Sequence, residues 1–171
     1  MALNLATLNA MDRDAFVAAL GGIFEHSPWV AEAAWAARPF ADVAALQDAM
    51  VGAVDAADAE TQLALLRAHP DLAGKAARAG ALTEHSTAEQ AGAGLDRLDE
   101  AEFARFHALN DAYQARFGFP FIIAVKGHTK ASILAAFEAR LPNDAATERM
   151  TALAQVARIA RFRLDDLIAA P

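Results

Sequence analysis

Cysteine is absent from this 171-residue sequence, which excludes a disulfide framework and a thiolate nucleophile or metal ligand. Long apolar runs are missing as well. No uninterrupted stretch approaches the roughly 18 residues needed to cross a bilayer, although hydrophobic residues make up 56% of the chain. Most of that excess is alanine, which favours helix and adds little oiliness. Positive charge is scarce: the formal net charge of −7 argues against a nucleic-acid footprint, which needs a basic face. Arg158, Arg161 and Arg163 form the one local basic group, and a solvated helix end accounts for them. Met1-Ala2-Leu3-Asn4 lacks the basic and apolar regions of a secretory signal, and Ile168-Ala169-Ala170-Pro171 carries no peroxisomal tripeptide. These absences lead to the expectation of a cytoplasmic protein that binds neither membrane nor nucleic acid.

What is present reads as helix almost throughout. Asn9 and Asp12 resemble an N-terminal cap, with Phe16, Val17 and Leu20 giving the apolar face before Gly21-Gly22. Ser27-Pro28 opens a short helix whose inner face is Trp29, Val30 and Ala33, and Arg38-Pro39 closes it. A third helix spans Asp42 to Val54 and buries Val43, Leu46, Met50 and Val54 at three- and four-residue spacings. A fourth, from about Ala57 to Ala68, delivers His69. Gly74 to His85 is small, polar and mobile-looking. Ser86 starts a fifth helix with Leu95 and Leu98 facing inward, and Asp99 caps a sixth. In that sixth helix Phe103, Phe106, Asn110, Tyr113 and Phe117 form one stripe. Gly118-Phe119-Pro120 ends it. Phe121-Ile122-Ile123-Ala124-Val125 is β-like but has no pairing partner, so it reads as an extended segment crossing the core. Ala131 to Leu141 and Asp144 to about Ile168 complete the chain. The expectation is all-α: a single compact multi-helix domain over residues 1–171, with one extended segment near 119–126.

Three segments carry chemistry. In Ala68-His69-Pro70-Asp71-Leu72-Ala73-Gly74-Lys75 a helix runs into a histidine and a proline stops it, because Pro70 disfavours the α region for the residue before it. A histidine at a helix end is commonly a capping or solvated residue, since imidazolium suits the negative end of the dipole. The stiff turn also suits a side chain that meets a ligand. The other four histidines, His26, His85, His107 and His128, have no comparable setting. Ser86-Thr87-Ala88-Glu89-Gln90 fits a capping box, in which Ser86 bonds the amide three residues on and Glu89 reaches back. Gln90 and the glycines at 92 and 94 are left over by that reading. Asn110, polar in an aromatic stripe, needs hydrogen-bond partners, either a structural network or a ligand. The Phe121 to Val125 segment has amides and carbonyls that need partners, and a flat, amide-rich ligand would supply them.

Other constellations fail. Gly92-Ala93-Gly94 lacks the strand and third glycine of a phosphate loop, and no nucleophile elbow occurs. His69, Asp71, His85 and Glu89 have no compact metal-ligand spacing, so no metal is expected. His69-Pro70-Asp71 after a helix is also the mark of a J-domain-like interaction module. That module needs a strongly basic preceding helix, whereas Thr61 to Ala68 has one basic side chain, Arg67. It stands as the alternative.

In order along the chain, Phe24-Glu25-His26-Ser27-Pro28-Trp29, Arg38-Pro39-Phe40, Ala68 to Lys75, Ser86-x-x-Glu89-Gln90, Asn110-x-x-Tyr113 and Phe117-Gly118-Phe119-Pro120-Phe121-Ile122-Ile123 resemble the 2-oxo-4-hydroxy-4-carboxy-5-ureidoimidazoline (OHCU) decarboxylases of urate breakdown. The resemblance runs from about residue 5 to residue 167. It implies an all-helical domain, often a homodimer, that needs neither metal nor organic cofactor. It further implies a carboxy-lyase whose small-molecule ureidoimidazoline substrate loses CO2 to give (S)-allantoin. By the same resemblance His69 matches the catalytic histidine and Glu89 its partner. Substrate contacts match Pro70, Ser86, Thr87, Ala88, Glu89 and Gln90, and Phe121, Ile122, Ile123, Ala124 and Val125, the last group largely through main-chain atoms.

Overall fold

A computed structural model describes residues 3–74 and 80–169. Residues 75–79, within the small polar stretch from Gly74 to His85, therefore lie outside the described residues. The secondary structure among the described residues is helical, with no strand and a single parallel bridge between Leu3 and Ile168. The expected all-α class is what the chain adopts. Contacts divide it into two compact units, one formed by Met1–Ala68 with Ala157–Pro171 and the other by His69–Val156.

The first unit contains α1 (Leu5–Ala10), α2 (Arg13–Leu20), α3 (Trp29–Trp35), α4 (Val43–Asp55) and α5 (Ala59–Arg67). Aspartates punctuate it. Asp12, Asp42 and Asp58 each accept a hydrogen bond from the amide three residues on, which satisfies an otherwise orphaned helix donor. α2 packs on α3 and α3 on α4, burying Phe16, Leu20, Val30, Ala31, Ala34, Leu46, Met50 and Val54. The expected inner face of α3 shifts by one position: Ala33 is exposed, and Val30, Ala31 and Ala34 point inward. Asn9 does not cap α2 with Asp12. Its amide instead bonds both main-chain groups of Phe40, at 2.9 Å to O and 2.8 Å from N.

The second unit contains α6 (Glu84–Gly92), α7 (Glu100–Phe117), α8 (Lys130–Arg140) and the start of α9 (Ala145–Leu167). Asp99 and Glu102 form a capping box on α7. Its far end stops at Gly118, whose φ of 77° lies in the left-handed region that favours glycine. The stripe read from the sequence is buried at Phe106, Asn110, Tyr113 and Phe117, while Phe103 is only half-buried. Phe119 and Phe121 complete an aromatic core. Tyr113 meets both rings edge-on, and Phe121 stacks on Phe137 of α8 with ring centroids 3.7 Å apart.

Candidate functional site

The second unit holds all the sequence-predicted site residues. α5 ends at Arg67, with Ala68 as its C-cap, and His69 follows at 8% exposure. From there the chain turns tightly. Ala73 takes a φ of 52°, unusual for a residue with a Cβ. Gly74 sits so close to Asp71 that an added Cβ would lie 2.8 Å from the Asp71 Cβ. Such a turn persists only if its surroundings hold it.

Two side chains do so. Gln90 of α6 accepts the Ala73 N–H at 2.9 Å and donates to the Asp71 carbonyl at 3.2 Å. Asn110 of α7 donates to the Leu72 carbonyl at 2.8 Å. Three consecutive residues after Pro70 are thus clamped through their main chain. Of the two readings of Asn110, the structural network is the one formed, and its Oδ1 has no hydrogen-bond partner among the described residues. The Asp71 carboxyl is held above its usual range, chiefly by burial, with the charge of Asp111 adding and His107 opposing.

The start of α6 corrects the sequence reading. Thr83, not Ser86, is the N-cap, and its side chain accepts the Ser86 N–H. Ser86 is therefore inside the first turn, and the Ser86–Glu89 capping box is not the cap of this helix. Ser86, Glu89 and Gln90 stand three and four residues apart, which puts them on one helix face. Ser86 and Gln90 are buried and Glu89 is half-buried. Thr87 and Ala88 are exposed, and the Thr87 hydroxyl bonds back to the Thr83 carbonyl. Pro70 is half-buried. Leu95 and Leu98 fall beyond the end of α6, in the turns before α7. Thr87 and Gln90 also line a cavity of about 330 Å3 with Ala73, Leu82, Leu95 and Phe103.

Phe121, Ile122, Ile123, Ala124 and Val125 are all buried and lack any strand partner. Three of their main-chain groups are satisfied from within the unit. The Ile122 carbonyl accepts from Arg140 Nη1 at 2.7 Å, the Ala124 N–H donates to Gln155 Oε1 at 2.9 Å, and the Val125 carbonyl accepts from His128 N at 2.9 Å. The Ala124 amide is therefore already used. The N–H groups of Ile122 and Ile123 find no acceptor among the described residues. A buried amide without a partner costs about 1–3 kcal/mol, so these two donors are candidates for a ligand.

Sequence reasoning missed the residues that hold this segment. Arg140 pairs with Glu148 at 2.9 Å, and the Glu148 carboxylate, fully buried, also takes hydrogen bonds from Tyr113 and Asn143. Burial pushes the Glu148 carboxyl up. The hydrogen bonds from Arg140, Tyr113 and Asn143 outweigh it and leave the group below the usual glutamate range. Burial, and then the bond to Glu148, push the Tyr113 phenol well above its ordinary value. Arg163 was misread too. It is not on a solvated helix end but 2% exposed within the first unit, paired with equally buried Glu25 at 2.8 Å. The available signal was Glu25 itself, a charge directly after the apolar pair Ile23-Phe24.

Among the described residues no three His, Asp or Glu side chains gather to hold a metal ion. Among the described residues no helix is long and apolar enough to cross a membrane. The J-domain-like reading of His69-Pro70-Asp71 loses its ground, because Asp71 and its neighbours are tied inward by Gln90 and Asn110.

Residues 9–165 match the family model described as OHCU decarboxylase. A 2-oxo-4-hydroxy-4-carboxy-5-ureidoimidazoline decarboxylase of Haloferax volcanii is 48% identical over 162 residues, covering 95% of this chain and 94% of that protein. Another, from Halalkalicoccus jeotgali, is 44% identical, covering 96% of this chain and 92% of that one. Among solved structures, an (S)-allantoin synthase superposes with a TM-score of 0.77 at 34% identity, over 98% of this chain and 54% of that longer one. With its matched motifs spread over both units, the chain belongs to the OHCU decarboxylase family.

Proposed function

We propose that this protein decarboxylates OHCU to (S)-allantoin and CO2, with His69 as the proton carrier and Glu89 as the carboxylate that orients and charge-stabilises it. The observation that carries the reading is the double hydrogen bond of Gln90 to the loop that begins at His69. It couples the helix turn bearing Glu89 to the turn bearing the imidazole. Family membership supplies the substrate class, since the relatives named above are decarboxylases of this ureidoimidazoline.

The chemistry follows from what the reaction requires. The bond between the ring carbon and its carboxylate breaks, CO2 departs, and the electron pair left behind delocalises over the adjoining ring atoms. A site for this needs donors aimed at the developing negative charge and one acid that protonates carbon. The partnerless N–H groups of Ile122 and Ile123 suit the first task. Phe121 and the Ile123 side chain suit the apolar wall beside the departing carboxylate. An imidazole with an ordinary pKa of about 6.5 exchanges protons near neutrality, which suits the second task. Ser86 and Gln90 are the polar groups of α6 able to meet ureido and ring amides. Gln90 has part of its capacity already committed to the loop. Protonation from one face gives one enantiomer. Nothing in this sequence of steps calls for a metal or organic cofactor, and the partner it implies is a small molecule in the cytoplasm.

The test is turnover of freshly generated OHCU followed by optical activity. Uncatalysed decay in achiral solution gives racemic product, so an excess of the (S) enantiomer supports the reading. Racemate formed at the background rate rejects it.

A further inference from the structure

The Phe121 to Val125 segment has no strand to lie against, yet the two peptide planes flanking Ile123 are each gripped from one side. Arg140 Nη1 holds the Ile122 carbonyl at 2.7 Å, and its guanidinium lies 4.3 Å over the neighbouring Phe121 ring. Gln155 Oε1 holds the Ala124 N–H at 2.9 Å. A trans peptide unit is planar with its N–H opposite its C=O. Fixing the Ile122 carbonyl toward Arg140 therefore turns the Ile123 N–H away from it. Fixing the Ala124 N–H toward Gln155 turns the Ile123 carbonyl away from that side chain. Both main-chain groups of Ile123 are without partners among the described residues. The anchors are themselves braced. Glu148 grips Arg140 through Nε and Nη2, and Asn143 holds the other carboxylate oxygen of Glu148 at 3.0 Å.

We infer that Arg140 and Gln155 are positioning residues for the reaction, locking the two peptide planes so that Ile123 presents a fixed N–H donor and C=O acceptor to the amide groups of a ureidoimidazoline. The inference rests on the function proposed above and deepens it. Neither side chain touches the reacting atoms; each acts through the main chain. A donor set in place before the reaction is effective because it does not reorganise as charge develops, and a misplacement near 1 Å can cost on the order of 10² in rate.

The experiment uses the full chain and a matched pair of substitutions. Gln155→Leu removes the acceptor for the Ala124 amide, whereas Gln155→Glu keeps a side-chain oxygen there. The expected result is a fall in kcat of about tenfold or more for Gln155→Leu, with KM changed by less than about threefold because the lost alignment matters most in the transition state. Gln155→Glu is expected to restore kcat to within about threefold of wild type at the same melting temperature as Gln155→Leu. Arg140→Lys, which keeps the charge beside Glu148 but not the fork, is expected to follow Gln155→Leu. Folded Gln155→Leu with wild-type kcat and KM, or equal losses in Gln155→Leu and Gln155→Glu, overturns the inference. A wild-type protein that leaves OHCU at its background rate overturns the proposed function instead, so the two failures are distinguishable.

Discussion

Gln90 Oε1 accepts the Ala73 N–H at 2.9 Å while its Nε2 donates to the Asp71 carbonyl, so one buried amide side chain holds both ends of the turn after His69. A side chain that gives and receives at once cannot be replaced by a group that does only one. Gln90→Leu leaves two main-chain groups of a buried turn without partners, at about 1–3 kcal/mol each. The expected outcome is a loss of stability in that range or above, together with a fall in turnover larger than the unfolded fraction explains. Chemical denaturation alongside initial rates checks it.

Thr83 holds the capping role that the Ser86-x-x-Glu89 pattern suggests for Ser86. Thr83→Ala removes the cap and is expected to cost about 1 kcal/mol of stability, with turnover per folded molecule close to wild type. Ser86→Ala, inside the first turn and buried, is expected to cost turnover more than helix stability. Paired denaturation and rate measurements separate the two. Equal stability losses would return the cap to Ser86.

The Glu148 carboxyl has a folded pKa below its unfolded one, so its contribution to stability is complete above the ordinary glutamate value, about 4.3, and is lost as pH falls through the lowered folded value. Glu148→Gln leaves Arg140 uncompensated in a buried setting, a change that typically costs about 3–5 kcal/mol. The difference between wild type and variant is therefore largest near pH 7 and narrows as the solution is acidified below pH 4.3 or so. Urea unfolding at a series of pH values reads this directly. A difference that stays constant across the acid range would contradict the assignment.

Dialysis against EDTA is expected to leave turnover unchanged, because His69, Glu89 and main-chain amides suffice for the proposed chemistry. Loss of activity on chelation, restored by a divalent cation, would show that the reading lacks a component.

Much of the fold was legible because its signals are local. Aspartates at 12, 42, 58 and 99 mark helix starts by bonding an amide three residues away. The 3.6-residue period named Leu46, Met50, Val54, Phe106, Tyr113 and Phe117 as core. α1 escaped because six residues are too short for a clear period. The start of α6 was misplaced by one turn because Ser86-x-x-Glu89 fits the capping-box pattern, whereas the helix is capped by Thr83 alone, three residues earlier. The candidate site was legible in its named segments but not in its supports. Arg140 and Gln155 reach the Ile122 to Ala124 backbone from 18 and 31 residues away. Glu25 and Arg163 are 138 residues apart in sequence, and no periodicity reports such a pairing.

Turnover of OHCU by His69→Asn, compared with wild type at equal folded concentration, tests the central claim most directly. Asparagine keeps a polar side chain but has no group that gains or loses a proton near neutrality. A loss on the order of 10² or more is predicted, with Glu89→Gln also impaired. Wild-type rates in well-folded His69→Asn would contradict the account.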